Sequence, residues 1–122
     1  VEILPPERFL PAPGQGAMAV EIRADDRETA GLVSSINHAA SFVALSTERA
    51  FLEELKVGCS VPVGAWARLE QGRLVMTAAV LSPDGREMLE NEGFADSFGE
   101  AERLGRTLAQ DLISRGATRL LA

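Results

Sequence analysis

The sequence predicts an α+β fold: a three-stranded antiparallel sheet packed against helices as an open-faced sandwich, behind an N-terminal extended segment and strand. Two observations carry the prediction. From Pro62 the apolar residues recur every second position, and two tight-turn signals divide that stretch into three runs. After the third run, apolar residues recur at three and four positions, so one amphipathic helix follows the sheet and can cover a face of it.

The N-terminal region is the least regular. Pro5, Pro6, Pro11, Pro13, Gly14 and Gly16 exclude a regular helix from residues 1–16. Ala17 to Arg23 is predicted as a strand, with Met18, Val20 and Ile22 on one face. Asp25 then suits a helix N-cap, with Glu28 completing a capping box. Leu32, Val33 and Ile36 give that helix an apolar stripe, and it is expected to end near Asn37-His38.

A second helix is predicted over Ser41 to Leu55. Ala44, Phe51 and Leu55 share a face, and Arg49 and Glu53 are spaced to pair on the solvated side. Gly58 ends the helical pattern. The first strand starts at Pro62, with Val63, Ala65, Ala67 and Leu69 alternating against Gly64, Trp66, Arg68 and Glu70. Gln71-Gly72 turns the chain, and Leu74 to Leu81 is the second strand. Ser82-Pro83-Asp84-Gly85 is a turn sequence, with proline placed for i+1. A weaker third strand covers Arg86 to Phe94. Ser97 and Glu100 form a capping box for the last helix, where Phe98, Ala101, Leu104, Gly105, Leu108 and Leu112 form the stripe and Gly116 the stop.

At 122 residues and 46% hydrophobic content the chain can bury a core of one domain's size. No apolar run approaches the ~20 residues needed to span a bilayer, so no membrane partner is expected. A net charge of −6 with dispersed basic residues argues against nucleic acid as a partner. The single cysteine cannot form an internal disulfide, which fits a reducing compartment. The opening Val1-Glu2-Ile3-Leu4-Pro5-Pro6 has the character of the middle of a protein, which suggests a fragment.

Cys59 is the first candidate for chemistry. It sits in a Gly58-Cys59-Ser60 loop between the second helix and the first strand, where a ligand can reach a thiol. Lys56 favours the thiolate, and the carboxyl end of the helix opposes it. On composition alone, a lone cysteine is more commonly a small buried hydrophobe. His38 is the only histidine, and no spacing joins it to Cys59 in a catalytic pair; a helix-end position is the simpler reading. One cysteine and one histidine do not make a structural zinc site, and no metal is expected. Asp25-Asp26, Glu53-Glu54, Glu90 and Glu92 read as caps and solvated faces. The second candidate is Pro13-Gly14-Gln15-Gly16-Ala17. Its glycines let the backbone approach a ligand, and the Gln15 amide can donate and accept. It lacks the Gly-Lys-Ser/Thr of a phosphate loop, and as a bare pattern it is more commonly a turn entering a strand.

Together these segments resemble the porphobilinogen deaminase (hydroxymethylbilane synthase) family. The resemblance rests on Leu10-Pro11-Ala12-Pro13-Gly14-Gln15-Gly16-Ala17, on Glu21-Ile22-Arg23 with Asp25-Asp26, and on the block from Glu48-Arg49-Ala50 to Cys59-Ser60-Val61-Pro62-Val63-Gly64. The closing Leu104-Gly105, Leu108-Ala109 and Gly116-Ala117 pattern belongs to it as well. Val57 departs from it, since the family usually has two glycines before its cysteine.

The resemblance implies a transferase of tetrapyrrole (heme, porphyrin) biosynthesis. It implies that Cys59 holds a dipyrromethane cofactor through a thioether, with Ser60 beside it and Gln15 and Gly16 lining the cofactor cleft. It implies porphobilinogen and the growing pyrrole chain as partners, a cytoplasmic location and a monomeric full enzyme. Residues 1–24 then correspond to the end of a preceding first domain and linker, and residues 25–122 to the C-terminal cofactor-attachment domain. The family's catalytic aspartate and most of its arginines have no counterpart here, so no catalytic residue is assigned and the isolated chain is expected to be inactive. An isolated chain could also self-associate through its N-terminal segment. The alternative is a stand-alone binding or interaction module with a structural cysteine, in which the first ~16 residues pack as part of the domain. A thiol-redox protein lacks a resolving cysteine.

Overall fold

A computed structural model describes residues 1–58 and 61–121. Among them, β1 (Val63–Glu70), β2 (Arg73–Leu81) and β3 (Met88–Ala95) form one antiparallel sheet in the order β1-β2-β3. The register runs from Val63 opposite Val80 to Glu70 opposite Arg73, and from Leu74 opposite Ala95 to Leu81 opposite Met88. Gln71 and Gly72 link β1 to β2 with φ of 50° and 81°, the left-handed pair that a two-residue hairpin with matching twist requires.

One sheet face is covered. Ala65, Ala67, Leu74, Met76, Ala78 and Val80 are buried there against α2 (Ala39–Leu55) and α3 (Ala101–Ser114), with Phe51, Leu108 and Leu112 between the layers. Small residues on the strands let the helices sit close. The tightest approach is between the two helices. A Cβ on Gly105 of α3 would collide with the Thr47 carbonyl oxygen and crowd Phe51 N and Ala50 Cβ on α2. The open face carries a cross-strand ladder instead. The Arg68 guanidinium lies 4.1 Å from the Trp66 ring and donates to Thr77 Oγ1 (3.0 Å) and to Glu92 (3.1 Å). The hydrogen bond from the Thr77 hydroxyl, with that from Arg68, holds the Glu92 carboxyl below its ordinary range. Arg73 stacks 3.7 Å from Phe94 on the same face.

The open-faced α+β arrangement and the three-strand meander are those the period-two pattern predicts. The predicted strand at Ala17 to Arg23 does not form; those residues are irregular and all but one are exposed, Met18 almost fully. They pair with neither edge strand of the sheet, and alternation alone does not supply the partners that a strand's backbone groups need. The cap of α1 (Arg27–Ser34) is Asp26 rather than Asp25. Asp26 Oδ1 accepts from Thr29 N (2.9 Å) and Oδ2 from the Thr29 hydroxyl (2.6 Å), so threonine takes the place expected of Glu28. The stripe on α1 buries nothing, and Leu32 and Ile36 are exposed.

α2 starts two residues earlier than its pattern suggests, because His38 caps it through Nδ1 accepting from Ser41 N (3.3 Å). His38 is exposed and occupies the helix-end position. Arg49 and Glu53 form no ion pair among the described residues, whereas Arg106 and Glu102 on α3 do, at 3.0 Å. Ser97 Oγ accepts from Gly99 N (3.2 Å) and opens a single 3-10 turn, Phe98–Glu100, before α3. Phe98 therefore lies off the core stripe, half exposed. Past Gly116 a short α4 (Ala117–Leu120) returns Ala117 and Leu120 to the core, where the sequence suggested only a stop.

Gly105→Ala is expected to destabilise the chain by about 3 kcal/mol, since neither helix backbone can yield to the added methyl. Urea unfolding checks this, with Gly31→Ala on exposed α1, where a Cβ meets nothing, neutral or slightly stabilising.

Candidate functional site

The first candidate segment and the elements on either side of the second, α2 and β1, meet at one edge of the sheet. β1 is an edge strand, so one row of its N–H groups faces away from β2. Two of these are taken up in different ways. Ala65 N donates to the Pro11 carbonyl (2.9 Å), and Ala67 N donates to Glu48 Oε1 (2.8 Å). The other oxygen of the same carboxylate, Oε2, accepts from Gly14 N at 2.7 Å. Glu48 thus joins α2, β1 and the N-terminal segment at a single group.

Sterics reinforce the contact. A Cβ on Gly64 would lie 2.8 Å from Leu10 Cβ, so glycine there lets the N-terminal segment lie against β1. Gly14 has φ +76°, and a Cβ there would meet Leu45 of α2 at 3.3 Å; both facts favour glycine. Residues 10–14 are thereby packed on the domain. Residues 1–9 are exposed apart from Pro6, so the segment as a whole is not a built-in element of the core.

Glu48 is 8% exposed and forms no ion pair among the described residues. Burial pushes its carboxyl above the ordinary value of 4.5, against the two N–H bonds from Ala67 and Gly14, which favour the charged form. The residue was not among the candidates from sequence, although a signal was present. It lies four residues after Ala44, three before Phe51 and seven before Leu55, so a carboxylate stands on the apolar face of the helix.

Gln15 and Gly16 form the exposed tip of this turn. Gln15 Oε1 accepts from Ala12 N (3.1 Å), and Ala17 N donates to the Gly14 carbonyl (3.2 Å). The side-chain carbonyl is therefore used locally, and the Gln15 Nε2 group remains to donate outward. A Cβ at Gly16 would meet nothing within 4 Å, so the space over this residue is open. Cys59 and Ser60 lie outside the described residues. Their flanks are described: α2 leads in through its left-handed C-cap Lys56 (φ 55°), and Pro62, whose carbonyl accepts from Leu81 N (2.9 Å), leads out into β1. The Glu48 carboxylate thus ties the Gly-Gln-Gly turn to the helix that enters the cysteine loop and to the strand that leaves it.

Residues 42–114 match the family model described as "Porphobilinogen deaminase, C-terminal domain". The chain belongs to the porphobilinogen deaminase family. Residues 1–31 match a second model of that family, its "dipyromethane cofactor binding domain", so the resemblance found in the two motifs extends through both parts of the chain. Among curated members, the porphobilinogen deaminase of Moorella thermoacetica is 47% identical over 120 residues, 98% of this chain and 38% of that protein. The porphobilinogen deaminase of Brevibacillus brevis is 42% identical over 122 residues, 99% of this chain and 38% of that protein. The chain thus spans well under half the length of these two family members.

Two outcomes test the geometry. The raised Glu48 pKa means that the folded chain holds this proton more tightly than the unfolded chain. The stability it contributes is complete below the ordinary value of 4.5 and is lost as pH rises through the raised folded value. Wild type is therefore expected to lose stability relative to Glu48→Gln as pH increases above 4.5, read as the difference in urea midpoints, in which the other carboxylates cancel. Gly64→Ala is expected to lift Leu10 from the β1 edge and to speed tryptic cleavage after Arg8, followed by mass spectrometry.

Proposed function

We propose that this chain supplies the cofactor-bearing part of a porphobilinogen deaminase, with Cys59 as the residue that carries dipyrromethane through a thioether. The reading rests on one observation. Two family segments occur on this chain in order, and the Gly14-Gln15-Gly16 turn of the first is held to both flanks of the Cys59 loop in the second. We divide the chain into residues 1–24, the return segment of a preceding domain, and residues 25–122, the cofactor-attachment unit.

The residues at hand suit the group. Dipyrromethane bears acetate and propionate carboxylates, which need donors, and the outward Nε2 of Gln15 supplies two. Gly16 leaves room for a ring to approach the backbone. Ser60 offers a hydroxyl next to the anchor. The bound dipyrromethane supplies the primer on which four porphobilinogen units are joined with loss of ammonia, before hydrolysis frees hydroxymethylbilane. The part of this chain is to hold that primer by Cys59 and to orient it with Gln15 and Gly16. Its net charge of −6 cannot neutralise a polycarboxylate, so the compensating arginines come from the remainder of the monomeric enzyme.

A single cysteine that must stay reduced to take up the cofactor fits a reducing cytoplasm, and no helix among the described residues is long and apolar enough to cross a membrane. Ile3, Leu4 and Phe9 are exposed and offer a surface through which isolated chains would associate.

A chimera tests the reading, with this chain replacing the matching segment of the Moorella thermoacetica protein. Intact-mass measurement is expected to show an adduct of two pyrrole units on Cys59, and the chimera is expected to consume porphobilinogen. Cys59→Ser should abolish both, and the chain alone should show neither. A turnover-competent Cys59→Ser chimera, or an adduct on another residue, would sink the assignment.

A further inference from the structure

We propose that Glu48 is a positioning residue, whose buried carboxylate sets where the Gly14-Gln15-Gly16 turn stands relative to α2 and β1, the elements before and after Cys59. The inference rests on the function proposed above and deepens it, by naming the group that registers the ligand-facing turn against the two elements that flank the anchor.

Three observations carry it. The first is that the carboxylate is spent entirely on backbone N–H groups: Oε2 on Gly14 (2.7 Å) and Oε1 on Ala67 (2.8 Å). A carboxylate serving stability alone would be expected to face a cation or solvent, and this one does neither. Arg8 in the N-terminal segment lies against Phe9, and Arg49 on α2 is exposed. Arg68 on β1 is engaged by Glu70 and Glu92 on the open sheet face, and Lys56 stands exposed at the far end of α2. The second is location. Glu48 stands on the helix that enters the Cys59 loop, Ala67 on the strand that leaves it, and Gly14 next to Gln15. A movement of either flank is therefore transmitted to the turn through one rigid group. The third is the absence of slack. Gly14 and Gly64 are both positions where an added Cβ would meet a neighbour across this contact, so the approach is set by packing as well as by hydrogen bonds.

Glutamine at position 48 keeps the shape but offers a single acceptor oxygen, so it serves one N–H and presents its amide to the other. Aspartate keeps both acceptors on a stem one carbon shorter and cannot reach both donors.

The test uses this chain with spin labels on Ala17→Cys and Glu53→Cys in a Cys59→Ser background. The inter-label distance distribution is measured together with amide exchange at Gly14, Ala67 and the buried β2 residues Met76 and Val80. With Glu48 present, a single narrow distribution and a protected Gly14 amide are expected. In Glu48→Gln and Glu48→Asp the distribution should broaden and exchange at Gly14 or Ala67 should rise at least about tenfold, the loss of one hydrogen bond's worth of protection. Met76 and Val80 should stay protected. An unchanged distribution in both variants overturns the proposal. So does a parallel rise at Gly14, Met76 and Val80, which would make Glu48 a support of the whole fold and not of the turn. No pyrrole is involved, so a chimera without a Cys59 adduct would defeat the functional reading and leave this result standing.

Discussion

The carboxylate of Glu48 accepts one N–H from the N-terminal turn and one from the edge of the sheet, and much of the local structure follows from that double acceptance. Burying an ionised carboxylate costs several kcal/mol. Charge-assisted hydrogen bonds of about 1.5–3 kcal/mol each offset part of this, and here there are two. The raised carboxyl pKa is the trace of the part that is not offset. The arrangement also solves a problem of the sheet. β1 is an edge, and its outward N–H groups at Ala65 and Ala67 would otherwise be free to pair with another chain. A carbonyl from Pro11 covers one and the Glu48 side chain covers the other.

The placement of α2 makes this contact available. Gly105 allows α3 to press directly on the α2 backbone, and Ala65 and Ala67 allow α2 to lie close over β1. With α2 packed against α3 and β1, the side chain at position 48 points between β1 and the N-terminal segment, to Ala67 N and Gly14 N. α2 runs towards Cys59 and β1 away from it, so both elements that flank the cysteine reach the Gly-Gln-Gly turn through Glu48. The open sheet face plays no part here. Its Arg68, Thr77 and Glu92 satisfy one another across three strands.

Local rules were enough wherever an element could be built from its own residues. The Gln71-Gly72 hairpin, the Ser82 to Gly85 turn and the amphipathic α3 each announce themselves by turn chemistry or spacing, and the structure forms all three, with a 3-10 turn taking the first three residues expected of α3. Local rules misled where an element needed a distant partner. The alternation at Ala17 to Arg23 has strand character, but those residues pair with neither edge of the sheet. The apolar stripe of α1 has helical spacing, and the helix forms, yet no surface covers Leu32 or Ile36. The choice of cap, Asp26 over Asp25, turned on the Thr29 hydroxyl, whose second hydrogen bond a capping-box pattern does not consider.

The sequence by itself determined the open-faced α+β class, the order of the elements from α1 to α3 and, through two motifs, the family. These are properties of periodicity and of residues adjacent in the chain, which act over a few positions. Tertiary structure alone decided what Glu48 does. On the helix it is a charge on an apolar face, which sequence can flag but cannot explain. Its role depends on where Gly14 and Ala67 come to rest, and that is set by the packing of α2 against α3 and β1. A buried carboxylate is tolerable only where donors meet it, and only the folded chain brings those two N–H groups together.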